Sequence, residues 1–202
     1  MAILTYGDRY VFLSKVLESL LSQRFSAIYV FCNGLESQRE NHLRENYSDS
    51  RIKYLSSVVN LGSAGGYHQL LQYIYRHDKS DYLLLLDDDN LIGTDFLSQI
   101  SKFPLDSREL LLFNRPDRIL PLRAVKENNP RLIMGPEAGF LGHSVFGYTV
   151  GPGAHLEGDL LAAPYGGLLM PAAVYESKVL PDEKLFLYGD DYDFTFRLCS
   201  AA

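Results

Sequence analysis

Tyr82-Leu83-Leu84-Leu85-Leu86-Asp87-Asp88-Asp89-Asn90 sets four consecutive leucines directly against three acids. An unbroken apolar run of this length fits a strand buried on both faces, as the middle of a parallel sheet requires. The acids then stand at the carboxyl end of that strand, where open α/β sheets bind their ligands. Adjacent carboxylates repel one another and favour a cation. A D-x-D pair, Asp87 and Asp89, supplies the one or two hard oxygen ligands that Mg²⁺ or Mn²⁺ takes beside waters and phosphate oxygens. The plainer reading is an acidic turn in which Asp88 or Asn90 caps the next helix.

Toward the amino terminus, short apolar runs alternate with amphipathic stretches, the pattern of successive βα units. Residues 2–6, 27–31 and 52–55 read as strands. Phe12, Val16, Leu17, Leu20 and Leu21 recur at helical spacing and predict a helix over 10–23 with that stripe on the sheet. A polar helix is expected over 36–46, and Leu70, Leu71, Ile74 and Tyr75 mark another after Gly66. Beyond Phe103, prolines at 104, 116, 121, 130 and 136 punctuate short strand-like pieces. No linker separates the two halves, so the second reads as a mixed-strand extension of the same sheet. A last helix is expected over 190–199, cut short by the end of the chain, which predicts a truncated carboxyl terminus.

The 202 residues, 47% hydrophobic and 22% charged, suit a single globular domain over 1–202 with a real core. With 19 basic residues against 25 acidic, a net charge of −6 and no Lys/Arg-rich run, the chain is no match for nucleic acid. No apolar stretch approaches the roughly 20 residues of a membrane span. A soluble, cytoplasmic protein is expected. Basic residues scattered over 108–131 form either a solvated face or a patch for peripheral contact at the inner face of the cytoplasmic membrane. Two cysteines, Cys32 and Cys199, argue against a disulfide framework and a zinc site.

Two more motifs carry chemistry. Asn60-Leu61-Gly62-Ser63-Ala64-Gly65-Gly66 lets backbone approach a ligand closely, and the helix start that follows offers free N–H groups to an anion. A plain flexible turn is the alternative, because the segment lacks both the P-loop Lys-Ser/Thr and the G-x-G-x-x-G spacing. Tyr188-Gly189-Asp190-Asp191-Tyr192-Asp193 then opens a helix with acids that its dipole favours. Either they cap the helix, or one of Asp190 and Asp191 is a general base, with Arg197 holding Asp193 one turn on. His42, His68, His77, His143 and His155 include no pair at metal-ligand spacing.

The order of motifs is more specific than any one of them. Thr5-Tyr6-Gly7-Asp8-Arg9, the Asn60 to Gly66 glycine segment, Asp87-Asp88-Asp89, Gly166-Gly167, and Asp190-Asp191 with Arg197 together resemble the GT-A glycosyltransferases of family 2. The bacterial galactofuranosyl- and rhamnosyltransferase branch is the most similar. The resemblance implies a GT-A, Rossmann-like α/β fold: a central, mostly parallel sheet flanked by helices, with a nucleotide-sugar half over 1–102 and an acceptor half over 103–202. It implies that Thr5, Tyr6, Arg9 and Asn33 contact the nucleotide, and that Asn60, Gly62, Gly65 and Gly66 shape the donor pocket. Asp87 and Asp88 would bind the nucleotide sugar, and Asp89 with Asp87 would hold Mg²⁺ or Mn²⁺. Gly166 and Gly167 would let an acceptor approach the backbone, Asp191 would be the catalytic base, and Asp190 would support the sugar or acceptor. The implied reaction transfers a galactofuranose- or rhamnose-type hexose, with inversion, from a UDP or dTDP donor. The acceptor would be a glycan or lipid-linked glycan of a bacterial surface polysaccharide.

Three departures stand against the family pattern. Cys32-Asn33 replaces the Asp that usually follows the second strand, Asp8 stands where an Asn precedes the Arg, and no His follows Asp191. Two other readings remain: a truncated or non-catalytic nucleotide-sugar-binding domain, and a haloacid-dehalogenase-like phosphatase using Asp87 as nucleophile and Asp89 as its acid/base partner.

Overall fold

The computed structural model describes residues 1–102, 110–113, 123, 126–129, 160 and 162–201. Among the described residues, six strands form one sheet. β1 (Ala2–Thr5), β2 (Ile28–Asn33), β3 (Ile52–Ser57) and β4 (Tyr82–Asp87) run parallel. β5 (Leu111–Leu112) and β6 (Leu168–Pro171) complete the sheet, β6 antiparallel to both β4 and β5. β4 lies between β1 and β6 with Leu83 to Leu86 all buried, as its four-leucine run demands. The mostly parallel sheet with a mixed second half is the α/β class expected from the sequence.

Helices cover both faces. α1 (Tyr10–Leu21) and α2 (Ser37–Asn46) lie on one side, and α3 (Gly62–His77) on the other. α4 (Phe96–Ile100) and α5 (Ala173–Ser177) are short, a 3-10 turn spans Glu183–Leu185, and α6 (Asp190–Ala201) joins α3. On the first face Leu13, Val16, Leu17 and Leu20 pack on Ile3, Val30 and Leu86. On the second, Leu70, Leu71, Ile74 and Phe194 pack on Leu4, Tyr29, Phe31 and Leu85. Each fully buried leucine of this kind is worth about 2 kcal/mol.

Three expectations change. Phe12 is 52% exposed rather than on the sheet, because the stripe that faces inward repeats as 13, 16, 17 and 20, and Phe12 falls one residue off it. β2 and β3 each run two residues further than expected, Cys32 pairing with Ser56 and Asn33 with Ser57. The glycine segment is not a loop ahead of the third helix: Gly62 to Gly66 are the first residues of α3. A Cβ on Gly66 would lie 2.1 Å from Leu4 Cδ1, so a larger residue there would force the Leu4 side chain aside where α3 meets β1.

The prolines at 104, 116, 121, 130 and 136, His143, His155, and the basic residues of 108–131 other than Arg123 and Lys126 lie outside the described residues. Among the described residues, no helix is long and apolar enough to cross a membrane. Cys32 is buried and Cys199 exposed, both as free thiols.

Candidate active site

The carboxyl ends of β1 and β4 adjoin, Leu4 standing opposite Asp87. After β1 the chain turns through Gly7 at φ 58° and enters α1 at Arg9, which sends the Arg9 side chain back across the strand ends. Its Nε donates to Asp88 Oδ1 at 2.7 Å and its Nη2 to Asp89 Oδ2 at 2.6 Å. Thr5 Oγ1 donates to Asp88 Oδ2 at 2.8 Å, and Asn90 Nδ2 to Asp89 Oδ1 at 2.6 Å. The guanidinium lies 5.6 Å from the Tyr6 ring and 5.3 Å from the Phe12 ring, within cation–π range of both. Burial pushes the Asp88 carboxyl up, while Thr5 and Arg9 pull it back down.

The second acidic group opens α6. Asp190 is buried and accepts from Ser63 Oγ at 2.7 Å. Asp191 Oδ1 accepts from the Tyr192 N–H at 2.9 Å. Burial, reinforced by the charges of Asp190 and Asp87, raises the Asp191 carboxyl to about 6. Thr195 ties this first turn to the chain leading into β6: its hydroxyl lies 2.8 Å from the Asp191 carbonyl and accepts from the Ala163 N–H at 2.8 Å. Arg197 Nε donates to Asp193 Oδ2 at 2.8 Å, the pairing read from their spacing.

Tyr67, on α3, joins the two groups. Its buried hydroxyl donates to the Leu86 carbonyl at 3.1 Å, and its ring centroid lies 4.1 Å from that of Tyr165. Burial holds this hydroxyl far above its ordinary value, and the charges of Asp87, Asp88, Asp190 and Asp191 push the same way. Four carboxylates from two distant segments thus act on a single hydroxyl. The sequence gives no sign of either role: Tyr67 directly follows the glycine segment and Ser63 lies inside it, and only the fold brings them to these acids.

The other expected residues separate by environment. Asn33 is buried and spends its amide on the start of α3: Nδ2 donates to Asn60 Oδ1 at 3.1 Å and to the Gly62 carbonyl at 2.8 Å, and Oδ1 accepts from the Leu61 N–H at 2.8 Å. Gly62, at φ 71°, leaves room for the Phe186 carbonyl, which a Cβ would meet at 2.1 Å. Gly166 and Gly167 are buried in the turn before β6, where the Gly167 N–H donates to the Leu85 carbonyl at 2.9 Å. Tyr6 is 47% exposed at the crevice mouth. Beside it, a cavity of about 260 Å³ between α1 and α2 is lined by Thr5, Gly7, Asp8, Tyr10, Arg39 and His42. A larger, shallower cleft of about 460 Å³ around His68, Arg76 and Glu183 contains none of the expected site residues.

Asp87 and Asp89 fit Mg²⁺ or Mn²⁺ in kind and number, since such ions take one or two carboxylates and complete their shell with phosphate oxygens and water. Among the described residues, no group of three or more His, Cys, Asp or Glu side chains is arranged to hold a metal on protein ligands alone.

Solved structures of S. aureus TarS share this fold. TarS 1–349 matches with a TM-score of 0.63 at 16% identity, covering 98% of this chain and 53% of that one. The same TarS fragment in complex with UDP gives 0.65 at 16% identity, over 98% and 54%. Its complex with UDP-GlcNAc gives 0.59 at 14% identity, over 95% and 52%. The present chain spans about half the length of the TarS fragment. The fold is therefore that of the GT-A glycosyltransferases. No family model and no curated protein matches the sequence.

Proposed function

We propose that this chain is an inverting glycosyltransferase of the family 2 type, moving a sugar from a nucleoside-diphosphate donor to a glycan hydroxyl. One observation carries the reading: Asp87, at the carboxyl end of β4, lies close enough to Asp191 for its charge to help raise that carboxyl to about 6. TarS, which shares the fold, was solved with UDP and with UDP-GlcNAc, and this favours UDP over dTDP as the nucleotide. Within this reading the sugar is a hexose of galactofuranose or rhamnose type. The acceptor is a glycan or lipid-linked glycan of a bacterial surface polysaccharide, assembled on the cytoplasmic side of the membrane.

Asp191 provides the base. A carboxylate of pKa about 6 is mostly ionised at neutral pH yet binds a proton far better than an ordinary one. It takes the proton of the acceptor hydroxyl as that oxygen bonds to the anomeric carbon. The bond from that carbon to the diphosphate oxygen breaks in the same displacement, which inverts the configuration and releases the nucleoside diphosphate. Ser63 holds Asp190 alongside, and Thr195 fixes the helix turn that carries both acids. Mg²⁺ or Mn²⁺ held by Asp87 and Asp89 would supply positive charge for the departing diphosphate. The phosphatase alternative has no support in a GT-A fold with Asp89 held by Arg9 and Asn90.

Thermal unfolding with UDP, dTDP and GDP, each with and without Mn²⁺, tests the reading. A ligand held only by the folded chain stabilises it by about 2.7 kcal/mol at one hundred times its Kd. A rise in melting midpoint with UDP and Mn²⁺ is expected. No rise with any of the three would overturn the donor assignment and favour a domain without this activity.

A further inference from the structure

Two of the three consecutive acids, Asp88 and Asp89, already have a cation. All four oxygens of Asp88 and Asp89 meet a donor: Thr5 and Arg9 on Asp88, Arg9 and Asn90 on Asp89. The Arg9 side chain is only 26% exposed and bridges the two carboxylates at 2.7 and 2.6 Å. A divalent ion placed on Asp89 with Arg9 unmoved would bring unlike partners together at the cost of like charges at contact distance in a half-dry crevice. Relief requires new negative charge, and a diphosphate brings it. A guanidinium fork also suits phosphate oxygens as well as it suits carboxylates. The Arg9 backbone is fixed at the start of α1, and the rings that flank its head, Tyr6 and Phe12, are 47% and 52% exposed, so little buried packing opposes a turn of the guanidinium once its carboxylate bonds are replaced.

We infer that Arg9 is the resident counter-cation of Asp88 and Asp89 and admits a divalent ion to Asp89 only together with a nucleoside diphosphate, whose phosphates take over its hydrogen bonds. The inference rests on the reading of this crevice as a nucleoside-diphosphate site. It makes Arg9 the residue that sets the order of binding, so that metal alone is held weakly.

Titration with Mn²⁺ alone, following the free ion by electron paramagnetic resonance, tests it without any turnover. Arg9→Gln is expected to bind Mn²⁺ at least about tenfold more tightly than the wild type, and Arg9→Lys, which keeps the charge, to stay within about threefold of it. UDP is expected to raise the wild-type affinity for Mn²⁺ by at least about tenfold beyond the Mn²⁺ that the same UDP binds without protein. Equal Mn²⁺ binding by the wild type and the folded Gln variant would overturn the inference. So would a wild type that binds Mn²⁺ as tightly without UDP as with it, and that comparison decides alone if the Gln variant does not fold. Failure of UDP to bind under any condition, with the Gln variant still gaining Mn²⁺, would instead overturn the nucleoside-diphosphate reading.

Discussion

At Asp88 and Asp89 every carboxylate oxygen meets a donor and Arg9 contributes a full positive charge, whereas at Asp190 and Asp191 no salt bridge arrives from the described residues. Burial is the first influence on both Asp88 and Asp191 and acts upward on each. A hydrogen bond opposes that rise in each case, from Thr5 and Arg9 at Asp88 and from the Tyr192 N–H at Asp191. The charges nearby are what differ: the Arg9 guanidinium pulls Asp88 down, while Asp190 and Asp87 push Asp191 further up, to about 6. Counter-charge, rather than depth, separates the two acids.

The most severe way to break that comparison is Asp191→Asn, which keeps shape and removes the carboxylate proposed as the base. Transfer should fall by roughly 10²- to 10⁴-fold with donor affinity nearly unchanged. Steady-state kcat and a separate UDP titration would measure the two, and equal losses in both would remove Asp191 from the base role.

Asp88→Ala attacks the other cluster through stability. It strands the Thr5 hydroxyl and one arm of Arg9, and losing one partner of such a pair costs about 3 kcal/mol, the low end of the range because Arg9 is partly exposed. Chemical denaturation would read the loss, and a change below 1 kcal/mol by that same scale would mean that Arg9 finds water instead.

The smallest effect sharpens the contrast by pH. Asp191 titrates higher in the folded chain than in the unfolded one, so folding binds this proton more tightly. Its charged form therefore lowers stability above about pH 6, and that cost fades as the pH falls toward the unfolded carboxylate value. Asp191→Asn should consequently melt above the wild type near pH 8, with the gap closing near pH 4. A gap that persisted unchanged at low pH would point to packing rather than to the charge.

The parallel half of the sheet could be read from the chain because unbroken apolar runs leave few alternatives to buried strands. β6 gave a fainter signal: Leu168–Pro171 is only four residues, with no alternation, and its pairing with β4 depends on contacts far away in sequence. The acids announced themselves because carboxylates placed side by side need an explanation. Their partners did not, since Arg9 meets Asp88 across 79 residues and Ser63 meets Asp190 across 127. The glycine segment misled for a different reason: glycine is compatible with a loop and with a helix, and the contact between Gly66 and the Leu4 side chain is made across the fold, out of sight of the local sequence.

β6 begins where β4 ends, because the two strands run in opposite directions. Phe113, just past β5, and Gly167, just before β6, touch: the Phe113 N–H donates to the Gly167 carbonyl at 2.9 Å, and the Gly167 N–H in turn donates to the Leu85 carbonyl at 2.9 Å. Backbone bonds thus lace β5, β6 and β4 together two residues short of Asp87, and the footing of that acid is set by main-chain groups rather than by side chains.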